Sequence, residues 1–446
     1  MANYLDIVDD VIAEIRAGRL RAGDRLPPQR DFAYRRGIAA STAARVYGEL
    51  VRRGVAAGEV GRGTFVRLMP TPARPALAEP TPLTVDLDLN FPTVPEQDAL
   101  LAASLAQLAQ RADARAQAFA PASARGNAAL RGIAATFLAR PGWTPDPDSL
   151  LFAGSCKQAI AATLSALVST GERLGVEALT YPFVKDIARQ LGIRLVPLAM
   201  DGEGLMPEAV VAQQRQAPLK ALYLQPTLHN PLGVSMSRER RARLAAVLRA
   251  ENLLAVEDGI YAFLDDRLPP LKALAPERVA LVDSLSKRLS PGLTVGFVMP
   301  PADAREAIVR ALHTGAWVAP AFAQAAAGRW MADGTAARIV AAKRLAAAER
   351  QALAARRLSG FALASDPRAF HGWLNLPEPW RAESFVAAAA RRGIAVTPAS
   401  AFAVMPGHGP NAVRLALSVA ATDRLDAALA ELAAILREGP DVGIGH

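Results

Sequence analysis

Lys287 is the residue of this chain whose type and setting most suggest chemistry. It stands in the stretch SLSKRLSPG, residues 284–292, directly after the apolar pattern VALVDSL, and it is one of only six lysines among 51 basic residues. If that pattern is a strand of an α/β sheet, Lys287 lies at a carboxyl end, where such sheets bind ligands. A lysine that reacts with an aldehyde must be partly deprotonated, which needs a desolvated or cationic setting. The stretch fits a buried lysine beside an aldehyde cofactor, while a surface lysine in a polar loop is the ordinary alternative, and the rest of the sequence decides between them.

Other predicted strand ends supply partners for a flat, aromatic cofactor. Asp258 ends the strand pattern NLLAVED, and a carboxylate there would hold a protonated ring nitrogen. Tyr261 follows one helical turn later, and its phenol could bind a ring hydroxyl together with the amide of Asn230, in QPTLHNPLG. Tyr181 follows a further strand, where its ring could stack on the cofactor. Taken singly, these residues have plain alternatives: Asp258 as a helix cap, Asn230 as a turn residue, Tyr181 as core.

Two further motifs indicate anion binding. The segment LLFAGSCKQAI is typical of a strand, a turn and a helix, so Ser155, Cys156 and Lys157 would form an anion nest at a helix N-terminus. Ser284 offers a further hydroxyl to a phosphate. Arg414 lies in the strand pattern NAVRLALSV, where its guanidinium could grip a carboxylate through two hydrogen bonds.

Alternation of strand and helix patterns predicts the elements that position these residues. From residue 85 onward, short apolar strands alternate with Ala- and Arg-rich helices, which favours an α/β fold with a mostly parallel sheet. After about residue 300 the chain is more helical, which indicates a smaller α+β domain at the C-terminus. We therefore predict a large domain over 85–300 and a small domain over 301–446.

The N-terminal segment has a different pattern. Three short helical patterns and a hairpin around Gly-Arg-Gly, within residues 1–67, describe a winged helix-turn-helix. Gly37 and Gly54 would end the second and third helices, and one face of the third would carry Ala44, Tyr47, Leu50 and Val51. Its third helix, with Ser41 as N-cap, would present Ser41, Thr42 and Arg45 to DNA, and Arg62 would enter a minor groove. Residues 1–67 hold 12 arginines and 8 acidic residues, so this segment carries +4 of the net charge of +9. A solvated basic face is the alternative interpretation.

Composition limits the remaining possibilities. The segment 68–84 is rich in proline and predicts a semi-rigid linker. No apolar run approaches the roughly 18 residues of a membrane span, and the N-terminus lacks the pattern of a secretory signal, so we expect a cytoplasmic protein. The single cysteine and the spacing of the five histidines predict no metal site.

The N-terminal segment resembles the GntR family of DNA-binding domains. The match covers GRLRAGDRLPPQRDFAYRRGIAASTAARVYGELVRRGVAAGEVGRGTFV almost throughout. The resemblance implies contacts with double-stranded operator DNA, and the matching positions are Arg30, Ser41, Thr42, Arg45, Arg62 and Gly63. Ala22 stands where the family usually has proline, and the family's arginine after the N-cap serine is absent.

Residues 85–435 resemble the fold-type I aminotransferases that depend on pyridoxal 5′-phosphate (PLP). The matching motifs are G-S-x-x-Q-A, Y-P, N-P-x-G, D-x-x-Y, S-x-S-K and a late R-L. The resemblance implies that Lys287 carries the internal aldimine. It further implies cofactor contacts from Asp258 to the ring nitrogen, from Asn230, Tyr261 and Tyr181 to the ring, and from Ser155, Cys156, Lys157 and Ser284 to the phosphate, with Arg414 binding a ligand carboxylate.

Two departures concern the phosphate. The family usually has an arginine seven or eight residues after the lysine, where this chain has Thr294 and Val295. It also usually offers a tyrosine to the neighbouring subunit's phosphate, where this chain has Phe119. We hypothesise that Lys157 supplies the missing charge.

The combination of the two domains resembles the MocR subfamily of transcription regulators. The resemblance implies a homodimer, domain-swapped head to tail, that senses an amine or amino-acid effector, or PLP itself, through Lys287. Two alternatives stay open: an aminotransferase that turns over substrate, with an accessory DNA-binding domain, and a repressor whose aminotransferase fold serves only for dimerisation.

Overall fold

The computed structural model describes residues 4–16, 20, 24–52, 55–59, 63–66, 85–292, 294–405, 407–418 and 421–440. The chain divides into two compact units, Met1–Thr81 and Pro82–His446. The predicted linker, residues 68–84, lies outside the described residues. Among the residues described, no helix is long and apolar enough to cross a membrane.

The N-terminal unit is a three-helix domain followed by a hairpin. Its elements are α1 (Tyr4–Arg16), α2 (Gln29–Arg36), α3 (Ala40–Arg52), β1 (Ala56–Glu59) and β2 (Gly63–Val66). The two strands pair antiparallel, with Glu59 opposite Gly63. This order is that of a winged helix-turn-helix, as predicted.

The core of the N-terminal unit lies between the three helices. Val8 and Val11 of α1 pack with Val46 and Leu50 of α3 and with Phe32 of α2. We predicted Ala44 and Val51 on the buried face of α3, but that prediction is wrong. Both are exposed, because α3 buries the face that carries Ala43, Val46, Tyr47 and Leu50.

The turn between α2 and α3 is set by a glycine. Gly37 adopts a left-handed conformation with φ of 62°, and its N–H donates to the last carbonyls of α2. A residue with a Cβ adopts this conformation only at a cost, so Gly37 ends α2 as the sequence predicted. The predicted stop at Gly54 lies outside the described residues.

The second unit contains the remaining strands, and most of them are short. In chain order they are β3 (Val85–Asp86), β4 (Leu151–Ala153), β5 (Arg173–Glu177), β6 (Arg194–Leu198), β7 (Met200–Asp201), β8 (Gly204–Leu205), β9 (Ala221–Leu224), β10 (Leu254–Asp258), β11 (Val279–Ser284), β12 (Gly296–Met299), β13 (Ala362–Ser365), β14 (His371–Asn375), β15 (Ile394–Ala395), β16 (Thr397–Pro398) and β17 (Ala412–Ala416).

Helices connect these strands and cover the sheets. They are α4 (Gln97–Gln110), α5 (Ala112–Ala118), α6 (Ala128–Leu138), α7 (Cys156–Leu167), α8 (Pro182–Gln190), α9 (Pro207–Gln216), α10 (Arg238–Ala250), α11 (Leu271–Leu274), α12 (Leu285–Arg288), α13 (Arg305–Thr314), α14 (Ala321–Ala332), α15 (Thr335–Arg357), α16 (Ala382–Arg391) and α17 (Thr422–Glu438).

A seven-stranded sheet forms the centre of the second unit, in the order β4-β12-β11-β10-β9-β5-β6. Every strand runs parallel to its neighbours except β12, which is antiparallel to both β11 and β4. The strands β9, β10 and β11 are buried along nearly their whole length, which explains their continuous apolar sequences. The mostly parallel sheet predicted from the alternating pattern is confirmed.

The second unit also contains a four-stranded sheet, in the order β13-β14-β17-β16. It shares a core with α15, α16 and α17, and Val85 and Leu87 belong to that core. By contrast, α13 and α14 pack with the large sheet, because Ile308, Leu312 and Trp330 lie in its two clusters. The small-domain core thus combines Val85 and Leu87 with residues from Leu353 of α15 onward.

Candidate functional site

Lys287 lies in α12, the short helix that follows β11 at its carboxyl end. Its Nζ donates to the main-chain oxygen of Asn90 and lies 3.4 Å from the centroid of the Phe91 ring. Burial, together with the positive charges of Arg414 and Lys157, holds the pKa of Lys287 well below its usual range. A lowered pKa favours the neutral amine, which is the form that reacts with a carbonyl compound.

Lys343, a fully buried residue of α15, fixes the end of the helix that carries Lys287. Its Nζ donates to the main-chain oxygen of Lys287 at 3.0 Å and to that of Leu289 at 2.7 Å. Burial lowers the pKa of Lys343 to about 7. This role was not predictable from the sequence, because an Ala-rich helix with one lysine is typical of a solvent-facing helix.

Asp258 ends β10 and is the centre of a buried hydrogen-bond network. Its Oδ2 accepts from the Tyr223 hydroxyl at 2.6 Å and from Gln225 Nε2 at 3.0 Å, and its Oδ1 accepts from the Ile260 amide at 3.0 Å. Burial raises the pKa of Asp258, while these hydrogen bonds oppose the rise. Within the described residues, no basic side chain forms an ion pair with this carboxylate.

Gln225 connects Asp258 to the loop that contains Asn230. Its Oε1 accepts from the main-chain N–H of Asn230 at 3.1 Å. The main-chain N–H of Gln225 donates to the buried Glu177 carboxylate at 3.0 Å. The side-chain oxygen of Asn230 is buried and has no hydrogen-bond partner among the described residues. A buried polar atom in this condition is typical of a site that a ligand completes.

Two tyrosines lie near Asp258. Tyr261 is buried, and its hydroxyl accepts from Asn90 Nδ2 at 2.9 Å. Burial raises its pKa to about 12. Tyr181 precedes α8, and the pKa of its phenol is raised well above its usual range by burial and then by Cys156, Tyr261 and Asp258. Because the charges of Cys156, Tyr261 and Asp258 act on Tyr181, we group these four residues with Lys287 and call the group the pocket.

The residues of the predicted nest lie at the N-terminus of α7. Ser155 is the N-cap of α7, and its hydroxyl accepts from the Gln158 amide at 3.3 Å. Lys157 Nζ lies 3.2 Å from the centroid of the Phe183 ring, and burial lowers the pKa of this lysine. The Cys156 thiol points toward Asp258, with Sγ 3.7 Å from Oδ1, so its side chain faces the carboxylate rather than the nest.

Ser284 and Thr294 lie beside α12. Ser284 is the N-cap of this helix, and its hydroxyl lies 2.6 Å from that of Ser286. Thr294 stands where an arginine was expected from the resemblance, and its hydroxyl oxygen is buried without a hydrogen-bond partner among the described residues. Arg288, the residue after Lys287, is not available for a ligand, because it pairs with the buried Asp283.

Arg414 lies in the middle of β17 and is almost fully buried. Its Nη2 donates to the main-chain oxygen of Asp88 and, at 2.8 Å, to Thr397 Oγ1. Asp88 Oδ1 lies 3.4 Å from the same nitrogen. Arg414 Nε is buried and has no partner among the described residues, so part of the guanidinium is free to bind a ligand.

Several residues of this pocket were not found from the sequence. Tyr223 and Gln225 lie at the end of β9, two positions apart, and therefore reach the same side of the sheet. Two polar residues at that spacing in the otherwise apolar stretch ALYLQP were a usable signal. Asp88, Asn90 and Phe91 left no such signal, because the stretch DLNFP matches no motif of charge or spacing.

The predicted DNA-contacting residues that the structure describes lie in α2, α3 and β2. Arg30 at the start of α2 and Ser41 and Arg45 of α3 are exposed, and Thr42 is half-buried. Ser41 is not the N-cap as predicted, because α3 begins at Ala40 and the amides of Thr42 and Ala43 donate to the Ala39 carbonyl. Gly63 begins β2, with φ of 118°, and Arg62 lies outside the described residues.

Comparison with known protein families agrees with both halves of the chain. Residues 84–432 match aminotransferase class I and II, and residues 3–66 match the bacterial regulatory proteins of the gntR family. The chain therefore belongs to the class I and II aminotransferase family and carries an N-terminal DNA-binding domain of the GntR type. This pairing is that of the MocR subfamily of transcription regulators, which the sequence predicted.

Two curated relatives span nearly the whole chain. The HTH-type transcriptional regulator YdeF of Bacillus subtilis is 29% identical over 417 residues, which cover 93% of this chain and 90% of that protein. The vitamin B6 salvage pathway transcriptional repressor PtsJ of Salmonella typhimurium is 28% identical over 418 residues, which cover 93% and 94%. Both relatives are therefore similar along both domains.

Solved structures agree with the fold of the second unit. An archaeal alanine:glyoxylate aminotransferase superposes with a TM-score of 0.73 at 22% identity, covering 80% of this chain and 91% of that one. This similarity confirms the fold-type I architecture.

The pocket also fits the cofactor on which the aminotransferase family depends. It offers an amine with a lowered pKa at Lys287, a buried carboxylate at Asp258, an unpartnered amide oxygen at Asn230 and a helix N-terminus at Ser155. These groups match, in turn, an aldehyde, a protonated ring nitrogen, a ring hydroxyl and a phosphate.

Proposed function

We propose that this chain is a DNA-binding transcription regulator that holds PLP at Lys287 and responds to an amino compound, or to PLP itself. The proposal rests most on one observation: a lysine with a strongly lowered pKa lies near a buried carboxylate network, in the same chain as a winged helix. When bound, the cofactor's aldehyde bonds reversibly with a primary amine. An effector amine would therefore compete with Lys287 for that aldehyde.

The residues of the pocket have distinct tasks in this proposal. Asp258, held by Tyr223 and Gln225, keeps the ring nitrogen protonated, and Tyr261 and Asn230 bind the ring hydroxyl. Tyr181 covers the ring. Ser155, Ser284 and the amide of Cys156 bind the phosphate, and Arg414 binds the carboxylate of the effector.

Lys157 supplies the positive charge at the phosphate that Thr294 does not. Two observations support this: Lys157 lies in the first turn of α7, and its charge lowers the pKa of Lys287. Lys157→Ala should weaken PLP binding, measured by fluorescence titration of the full chain. Lys220→Ala is the control, because that lysine is half exposed and pairs with Glu172 at 3.6 Å. Equal PLP affinity in Lys157→Ala and the wild type would contradict the assignment.

The experiment that tests the regulatory function is an operator-binding assay. DNA upstream of the gene and its neighbours would be titrated with the full chain at a fixed, stated salt concentration, because binding to phosphates depends steeply on salt. PLP and then candidate amino acids and amines would be added. We expect the affinity to change with PLP or amine in the wild type but not in Lys287→Ala. Unchanged DNA affinity under all these additions would refute the proposal.

The relatives leave two effectors to compare. The name of PtsJ, a vitamin B6 salvage pathway repressor, favours PLP as the signal, whereas the buried Arg414 favours an effector with a carboxylate. The assay separates them: a response to PLP alone identifies the first, and a response that requires an amino acid on top of PLP identifies the second.

A catalytic role is the second candidate, because the charge of Arg414 lowers the pKa of Lys287, so that one amino acid could reach both side chains. Formation of oxo acid from an amino acid under multiple-turnover conditions would support it.

We also propose that the chain acts as a homodimer, domain-swapped head to tail. Phe119 supports a partner surface, because it stands where the family usually offers a tyrosine to the neighbouring subunit and 81% of its side chain is exposed at the end of α5. A monomeric mass in solution, measured by light scattering, would contradict the dimer.

A further inference from the structure

Residues 85–91, which we call the strap, cross the pocket directly after the predicted linker. The strap begins as β3, which pairs parallel with β15, and the Leu87 amide donates to the Ala395 carbonyl at 2.9 Å. On its other side, the Ala416 amide donates to the Leu87 carbonyl at 2.7 Å. The strap is thus fastened to the small-domain sheet, beside the strand that carries Arg414.

The strap contacts three of the groups to which the proposed function assigns a role. The main-chain oxygen of Asn90 accepts from Lys287 Nζ, and its side-chain amide donates to the Tyr261 hydroxyl at 2.9 Å. The Phe91 ring covers Lys287 Nζ at 3.4 Å. Asp88 contacts Arg414 through both its main chain and its side chain. A ligand that reached Lys287 and Arg414 would meet the strap at both.

Asp88 is held on Arg414 by more than one contact. Thr397 Oγ1 donates to Asp88 Oδ1, and Arg414 Nη2 donates to Thr397 at 2.8 Å, so the three side chains form a closed set. An Asx turn upstream fixes the backbone, because the amides of Asp88 and Leu89 donate to Asp86 Oδ1 at 2.7 and 3.0 Å. The Asp88 side chain is 40% exposed, whereas that of Arg414 is 7% exposed. Asp88 therefore has solvent to move into, and Arg414 does not.

A second carboxylate cannot join Asp88 on Arg414 at low cost. Two like charges held close together near a protein surface repel each other. The free Nε of Arg414 also shares one edge of the guanidinium with the Nη2 that Asp88 and Thr397 occupy. A carboxylate that binds this edge through two hydrogen bonds must take Nη2 from them.

We propose that Asp88 is an internal competitor for Arg414, so that an effector with a carboxylate binds only when Asp88 and the strap leave the guanidinium. This inference rests on the proposed function and deepens it, because amino acids must displace Asp88 from Arg414 and simple amines need not. A ligand moves an equilibrium only when it binds the two states unequally, and the displacement of Asp88 is that difference here. The strap follows the linker directly in the sequence. Displacement of the strap would therefore move the first residues of the second unit.

The test compares Asp88→Asn with Asp98→Asn, the same change at an exposed position of α4. The full chain loaded with PLP would be titrated with paired probes that differ only in the carboxylate: L-alanine and ethylamine, L-phenylalanine and phenethylamine. Binding is read from the cofactor's absorbance. We expect Asp88→Asn to tighten the amino acids about fivefold or more, within the usual range of coupling, and to leave the amines unchanged. Equal effects on both probe types, or none on either, would overturn the inference.

Hydrogen exchange of the strap supplies an independent readout. Amino acids should accelerate exchange at the amides of Leu87, Asp88 and Leu89 in the wild type, and the amines should not. Thr397→Val, which removes the hydroxyl that holds Asp88, should tighten amino acids in the same direction and serves if Asp88→Asn does not fold. Absence of a cofactor absorbance band in the wild type would refute the proposed function. A strap whose exchange ignores amino acids, in protein that does show the band, would refute this inference alone.

Discussion

The hydroxyl of Tyr223 offers a direct test of how the pocket keeps Asp258 ionised. It donates to Asp258 Oδ2 at 2.6 Å, and both residues are buried, with 0% and 2% of their surface exposed. Burial raises the pKa of Asp258, and this hydrogen bond opposes the rise. Tyr223→Phe removes the hydroxyl, keeps the ring, and leaves the Gln225 side chain and the Ile260 amide as donors.

The size of the effect follows from the lost hydrogen bond. A hydrogen bond to a charged group contributes about 1.5–3 kcal/mol, and 1.36 kcal/mol corresponds to one pKa unit. The pKa of Asp258 should therefore rise by a further ~1–2 units in Tyr223→Phe. Since a protonated carboxyl no longer holds a protonated ring nitrogen, PLP affinity should be lost at a pH about 1–2 units higher than in the wild type.

The assay is an equilibrium titration of the full chain with PLP at a series of pH values. Tyr34→Phe is the control, because 90% of Tyr34 is exposed, on α2 of the other unit. Unfolding in urea would show that both variants are folded. A pH profile of Tyr223→Phe that coincides with the wild type would refute the assignment of Asp258 as the partner of the ring nitrogen.

Three further changes have defined outcomes. Lys343→Met leaves two main-chain carbonyls at the end of α12 without donors, which should cost about 1–3 kcal/mol each in urea unfolding. Because the pKa of Lys343 is lowered to about 7, the folded wild type binds fewer protons than the unfolded chain above that pH. Its stability should therefore gain a contribution as pH rises from about 7 toward the lysine's ordinary pKa, and Lys343→Met should lack it. Arg288→Met leaves the buried Asp283 with Arg140 as its remaining ion-pair partner, whose Nη2 lies 3.8 Å from Oδ2, and loss of the nearer Arg288 should cost up to about 3–5 kcal/mol in thermal unfolding. Arg45→Ala should weaken operator binding by about 1–3 kcal/mol and relax preference at one base pair, measured by competition with point-substituted operators.

The fold was predictable where pattern and motif agreed. The strands β9, β10 and β11 read as short apolar runs between helices, and such runs are typical of strands buried on both faces. The end of α2 at Gly37 followed from the need for a left-handed residue. By contrast, α3 has small residues on several faces, so composition alone did not decide which of Ala43 and Ala44 is buried.

The domain boundary was harder to predict because α13, α14 and α15 have similar Ala- and Arg-rich sequences. The first two pack on the large sheet, and the long α15 extends from that core, at Ile339, to the small-domain core, at Leu353. Hydrophobic spacing within each helix says which face is buried but not which sheet buries it. That choice depends on tertiary contacts between residues far apart in the chain.

The same limit applies to the pocket. Residues at strand ends, such as Asp258, could be predicted, since topology brings the carboxyl ends of neighbouring strands together. Asp88 and Asn90 could not be predicted, because their partners are far away in the sequence. Arg414 lies 326 residues after Asp88, and Tyr261 lies 171 residues after Asn90. Nothing in the local sequence of the strap indicates those partners.

The charges of the pocket explain what kind of ligand it should bind. Lys157 and Arg414 both lie close enough to Lys287 for their charges to lower its pKa. Asp258 accepts from Tyr223 and Gln225, whereas the carboxylate of Asp88 contacts one of these cations, Arg414. A phosphate at the α7 N-terminus would balance Lys157, and a ligand carboxylate would balance Arg414 once Asp88 leaves. Since this chain lacks the usual phosphate arginine, we expect Lys157 to provide the positive charge beside the phosphate. PLP affinity should then depend more on Lys157 than on any other residue around the phosphate.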